Sequence, residues 1–115
     1  MIINTASVTA YKGSGHLLDY SSTKGAIVAF TRSLSEALVE KKIRVNAVAP
    51  GFILGTRFHA THTTEESARQ TVTQIPLGRA GTPEDIARAV VFLASEYDGF
   101  ITGATLDING GVYAA

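Results

Sequence analysis

Apolar positions fall into short unbroken runs that alternate with helical stripes. Met1 to Ala6 is one such run, apolar on both faces as the strands of a covered parallel sheet are. From Tyr20 to Glu40, Ile27, Phe30, Leu34 and Leu38 recur at helical spacing, and Ser22, Ala26, Ala29 and Ser33 make a second stripe of small residues. The large stripe is predicted to pack on a sheet and the small one to admit another helix. Lys41 and Lys42 suit the negative end of that helix. A second strand is predicted over Ile43 to Ala49, stopping where Pro50-Gly51 cannot continue a ladder.

The next stretch is different. Phe58 to Gln74 is polar, threonine-rich and weakly helical, with a start at Thr64 ahead of Glu65 and Glu66. Its apolar anchors are only Ala68, Val72 and Ile75, which predicts a mobile cover. Thr82-Pro83-Glu84-Asp85 then opens a helix with a capping hydroxyl, a first-turn proline and acids at the positive end. Ile86, Val90 and Leu93 form its buried stripe, and Asp98-Gly99 closes it. Ala104 to Ile108 reads as the last strand, ended by Asn109-Gly110-Gly111.

Strand, helix, strand, cover, helix, strand predicts an α/β architecture with a three-stranded parallel sheet and flanking helices. The general handedness of such crossovers would put both long helices on one face.

Composition narrows the function classes. The 115 residues suffice for one domain, and ten acidic against ten basic residues, with no long run of either sign, give no surface for nucleic acid or anionic membrane. No stretch approaches the roughly eighteen apolar residues of a membrane span. The absence of cysteine excludes disulfides and thiolate chemistry and fits a cytoplasmic protein.

Chemistry concentrates between Ser7 and Lys24. Ser7 ends the first apolar run, at the carboxyl edge of a strand, where open parallel sheets bind ligands. Tyr20 follows thirteen residues later and Lys24 four after that, one helical turn on and on the same face. An ammonium beside a phenol favours the phenolate, so this pair suits proton exchange with an alcohol or carbonyl. Taken singly, the serine is a strand terminator, the tyrosine a helix-start residue and the lysine a solvated charge. The loop from Val8 to Asp19, turning at Gly13, Ser14 and Gly15, bridges Ser7 and Tyr20, so His16, Leu17 and Leu18 are candidates for a substrate wall. His59 and His62 stand three apart with no further convincing ligand and are read as a solvated face, so no metal site is expected.

Asn-Thr-Ala-Ser, Tyr-Ser-Ser-Thr-Lys-Gly-Ala, Arg-Val-Asn-Ala-Val-Ala-Pro-Gly-Phe-Ile, Arg-Ala-Gly-Thr-Pro-Glu-Asp-Ile-Ala and Ile-Thr-Gly-Ala-Thr-Leu-Asp-Ile-Asn-Gly-Gly occur in this order. Together these blocks resemble the short-chain dehydrogenase/reductase family over essentially the whole chain. The resemblance implies a partial Rossmann-like domain, the last three strands of the sheet, with the final helix on the opposite face from the first. It implies that Ser7 orients the substrate oxygen, that Tyr20 exchanges the proton, and that Lys24 lowers the tyrosine pKa and, with Tyr20, contacts the cofactor's nicotinamide ribose. It further implies that Pro50, Gly51 and Ile53 border the nicotinamide of NAD or NADP. The family usually carries threonine four residues after the glycine; here Gly55 stands there and Thr56 one place later. Phe58, on a lid, is the residue expected to reach a substrate, together with Ser7, His16 and Leu17.

The family's glycine-rich nucleotide turn has no counterpart here, since Gly13 and Gly15 follow the serine strand and lead into no strand-turn-helix unit. The expectation is therefore a carboxyl-terminal half of such an enzyme, a single partial domain over residues 1–115 that carries the proton-transfer groups. The helix after Tyr20 is expected to join a subunit interface, with a homo-oligomer, a tetramer by resemblance, as the assembly. The competing reading is a noncatalytic assembly fragment that binds a copy of itself or a longer relative. Nucleotide titration separates the two, because only the first predicts saturable binding once a first half is supplied.

Overall fold

The structure is a computed structural model that describes residues 1–95 and 99–114; Asp98, read above as closing a helix, lies outside them. Three parallel strands, β1 (Ile2–Thr5), β2 (Val45–Pro50) and β3 (Thr105–Ile108), form a sheet in the order β1-β2-β3. Ile2 pairs with Val45 and Thr5 with Val48 on one side of β2, and Ala47 with Thr105 and Pro50 with Ile108 on the other. β2 is central, and its residues from Val45 to Ala49 are buried. The predicted α/β fold with its parallel sheet is what forms.

Some boundaries shift. Proline ends β2 inside the ladder, because the last position needs only a carbonyl, and the amide of Val8 donates to the Pro50 oxygen at 2.9 Å. Ile43 precedes the strand. The stretch predicted as a loop from Val8 to Asp19 contains a one-turn helix, α1 (Thr9–Lys12), and the long helix α2 (Leu18–Leu38) already begins before its end. Gly13 ends α1 with φ of 72°, a left-handed conformation that suits glycine. A 3-10 turn over Val39–Lys41 and left-handed Lys42 complete the connection to β2.

The inward face of α2 is not the large apolar stripe. Val28, Thr31 and Ser35 are its buried residues, Ile27, Leu34 and Leu38 are half-buried flanks, and Phe30 is 56% exposed. Close approach explains this. A Cβ added to Gly103 would lie 2.8 Å from the Ser35 hydroxyl, so small residues must face the sheet there. Thr31 is held by bonds, accepting from Asn4 Nδ2 at 3.0 Å and donating to the Ile27 carbonyl at 2.8 Å.

The polar cover resolves into α3 (Arg57–His62) and α4 (Glu65–Thr73). Thr64 caps α4 as predicted, accepting from the Ser67 amide at 3.1 Å. Only Ile75, just beyond α4, is buried among the expected anchors. α5 (Pro83–Ala94) starts with the predicted capping hydroxyl, completed as a reciprocal box between Thr82 and Asp85, and buries Leu93.

The two long helices take opposite faces. Ala6, Val28 and Ala49 cluster on the α2 side, where Asn4 also points. Arg44 and Asn46, of the other parity, reach the end of α5 and the segment after it: Arg44 Nη1 donates to the carbonyls of Leu93 at 3.1 Å and Ile101 at 3.3 Å. Both faces of β2 are thereby covered, as the resemblance implied and the general handedness did not.

Candidate functional site

Parallel strands that all end on one side bring their carboxyl ends together, and the following loops form the site. At the end of β1, the Ala6 and Val8 amides donate to the carbonyls of Val48 and Pro50, which fixes Ser7 between them, buried at 7% exposure. Ser7 Oγ accepts from the Thr9 amide at 3.3 Å and from Thr9 Oγ1 at 3.1 Å. With both lone-pair directions engaged, the serine proton is the group left to donate. Thr9 escaped the sequence reading, although a hydroxyl residue two after a serine is the spacing of a local side-chain turn.

Tyr20 and Lys24 lie one turn apart on α2, and Lys24 Nζ is 5.6 Å from the centre of the Tyr20 ring. The same ammonium donates to the Thr5 carbonyl at 2.8 Å. Lys24 therefore ties α2 to the strand end that carries Ser7 and holds its charge beside the phenol. Tyr20 is 42% exposed, so the phenol is reachable from outside. His16 and Leu17 are exposed in the turn before α2 and make no side-chain hydrogen bond among the described residues.

A second group gathers after β2. Pro50, Gly51, Ile53, Thr56 and Phe58 line one cleft of about 380 Å³, together with His59, Pro83 and Ile86. Ser7, Tyr20 and Lys24 do not line it. Gly51 is required by proximity, since a Cβ there would lie 2.8 Å from Asn109 Cα and Cβ. Thr56 caps α3, its hydroxyl accepting from the His59 amide at 3.5 Å. Phe58 is 64% exposed and stacks on His62 with ring centres 4.8 Å apart.

Ile53 carries the best test of a nicotinamide fit. It forms a parallel bridge with Gly81 through its neighbours: Gly81 N–H donates to the Phe52 carbonyl at 2.9 Å, and Leu54 N–H to the Gly81 carbonyl at 3.0 Å. In parallel pairing the bridged residue's own amide and carbonyl face away from its partner. Among the described residues neither group of Ile53 has a hydrogen-bond partner. A free donor and acceptor side by side match the two ends of a carboxamide.

His59 departs from the solvated face predicted for it. It is half-buried, packed edge-on against Phe52 at 4.9 Å and Phe58 at 5.2 Å, with Nδ1 2.8 Å from Thr63 Oγ1. Burial lowers its pKa below the usual histidine value, and the charge of His62 lowers it further. His62 is exposed as expected. A larger cleft of about 680 Å³ lies between the Ile75–Arg79 segment and the end of β3. In its wall, Asp107 Oδ1 is buried without a partner among the described residues, and burial raises that carboxyl's pKa.

The family model described as Enoyl-(Acyl carrier protein) reductase matches residues 1–113. A glucose and ribitol dehydrogenase homolog of Oryza sativa subsp. japonica is 53% identical over 111 residues, covering 96% of this chain and 37% of that protein. The crystal structure of a short-chain dehydrogenase/reductase, a glucose/ribitol dehydrogenase from Brucella melitensis, superposes with a TM-score of 0.90 at 42% identity, over 99% of this chain and 45% of that one. A 3-ketoacyl-(acyl-carrier-protein) reductase from the same organism, complexed with NADH, gives a TM-score of 0.86 at 36% identity, over 96% and 43%. The chain thus spans less than half the length of the proteins it matches.

Proposed function

The chain belongs to the short-chain dehydrogenase/reductase family, and on that premise we propose that it carries the proton-transfer half of an oxidoreductase interconverting an alcohol and a carbonyl. The observation that carries this reading is the ammonium of Lys24, which spans from the face of Tyr20 to the carbonyl of Thr5 beside the serine strand end. A nicotinamide cofactor, NAD or NADP, supplies the hydride chemistry when bound.

Toward that cofactor, Ile53 offers its backbone amide and carbonyl, and Pro50, Gly51 and Thr56 shape the cleft around it. Tyr20 and Lys24 are the residues that would hold its ribose. Ser7 donates its hydroxyl proton to the substrate oxygen, a role supported by the two donors that already engage its lone pairs. Tyr20 gives a proton to a carbonyl oxygen in reduction and takes one from a hydroxyl in oxidation. Lys24 stabilises the phenolate that each donation leaves behind. Phe58, exposed on α3, supplies an apolar contact to the substrate, and the exposed His16 and Leu17 add to the wall around it.

The outward face of α2 supports a homo-oligomer. Ser22, Ala26, Ala29, Phe30 and Ser33 are all exposed along it, a row of small residues beside one phenyl ring on which a second copy can pack closely.

Tyr20→Phe in a protein completed with a dinucleotide-binding half tests the assignment. It keeps the ring against Lys24 and removes the proton, so turnover is expected to fall by about a hundredfold or more while cofactor still binds. Retained turnover overturns the assignment.

A further inference from the structure

α3 has six residues and buries none of them, and a helix this short does not hold itself together in water. Its attachment to the rest of the fold must come from particular side chains. His59 is one of these: its ring packs T-shaped against Phe52 in the loop after β2 and against Phe58 on its own helix, while Nδ1 reaches Thr63 just beyond the helix. It also borders the cleft lined by Pro50, Gly51 and Ile53 and a second one, on the α4 side, lined by Leu54, Glu65 and Ala68.

We propose that His59 is a positioning residue: its neutral ring clasps α3 to Phe52, and protonation of that ring releases α3 and opens the cleft below it. Apart from one exposed carboxylate, the surroundings disfavour the cation. Arg57 and His62 stand on the same helix, and no acid occupies its first turn, the positive end of the helix. α5 faces the ring with the uncharged Pro83 and Ile86. The one carboxylate lining a cleft with His59 is Glu65 of α4, which is exposed and paired with Arg69 at 3.4 Å. A charged ring therefore gives up its aromatic contacts for water.

The sign is definite. Since the folded protein lowers the pKa of His59, the clasp is fully present above the free-histidine value of about 6.5 and is lost as pH falls through the lower folded value. The consequence for catalysis rests on the oxidoreductase reading, since the cleft is the one assigned to the nicotinamide, but the clasp is a property of the chain alone.

The test is an NMR titration of this chain between about pH 8 and pH 5, the range in which histidine titrates, following nuclear Overhauser contacts between the His59 and Phe52 rings. These contacts are expected while the His59 ring is neutral and should fall by more than half as it takes up its proton, while contacts within α5 persist. His59→Phe should keep contact with Phe52 at both ends, and His62→Asn should leave the loss in place. If the His59 ring titrates with its Phe52 contacts intact, or if His62→Asn abolishes the change, the clasp is refuted. Neither result depends on cofactor binding or turnover, so failure of the enzymatic reading is told apart from failure of this one.

Discussion

Asn46 is fully buried at the centre of β2, and its side chain spans to the segment that leads into β3. Its Oδ1 accepts from the Ala104 amide at 3.0 Å, and its Nδ2 donates to the Ile101 carbonyl at 2.9 Å. Asn46→Ala removes both bonds, but the two losses are unequal. The Ile101 carbonyl keeps Arg44 Nη1 at 3.3 Å, whereas the Ala104 N–H loses the acceptor that the fully buried Asn46 supplied. An orphaned buried donor costs about 1–3 kcal/mol. The small cavity adds about 1 kcal/mol. The expected loss of roughly 2–4 kcal/mol is a large part of the 5–15 kcal/mol typical of a domain. With a urea slope of about 2 kcal/mol per molar, the midpoint should fall by about 1–2 M. Urea unfolding followed by far-UV circular dichroism measures it, with the exposed Gln70→Ala on α4 as a control expected within about 0.5 kcal/mol of the parent. A midpoint shift for Asn46→Ala no larger than the control's would refute the argument that this amide holds β3 to the sheet.

Two further outcomes follow from the same reasoning. Gly51→Ala forces a methyl to 2.8 Å from the Asn109 backbone and should destabilise by about 1–3 kcal/mol in the same assay, and in the completed enzyme it should also weaken cofactor binding, read by nucleotide titration. Asp107→Asn should stabilise the chain at neutral pH: burial raises the carboxyl's folded pKa, so the charged form is disfavoured above that value and the penalty disappears as pH falls toward the ordinary carboxylate range. Thermal unfolding of the pair at about pH 7 and pH 4, either side of the carboxylate transition, reads the difference, and an Asn advantage that grows on acidification would contradict the sign.

Local signals carried well where one residue type has one physical use. The Thr82-Pro83-Glu84-Asp85 cap, the Thr64 cap, the three strands and the one-turn spacing of Tyr20 and Lys24 all needed only short-range geometry, and each is present in the fold. The ordered motif blocks carried the family as well. Periodicity failed on α2, because it counts apolar residues and cannot know how near the sheet approaches; Gly103 draws Ser35 in and leaves Phe30 outside.

Residue spacing along the chain therefore determined the element types, the parallel sheet and the place of the phenol beside its ammonium, since all of these follow from helix and strand repeats. Only tertiary packing decided which residues of α2 face the sheet, that Thr9 holds Ser7, that Ile53 keeps an unused amide and carbonyl, and that His59 is drawn between two phenyl rings. Each of those depends on a contact between segments whose distance in space no local repeat encodes.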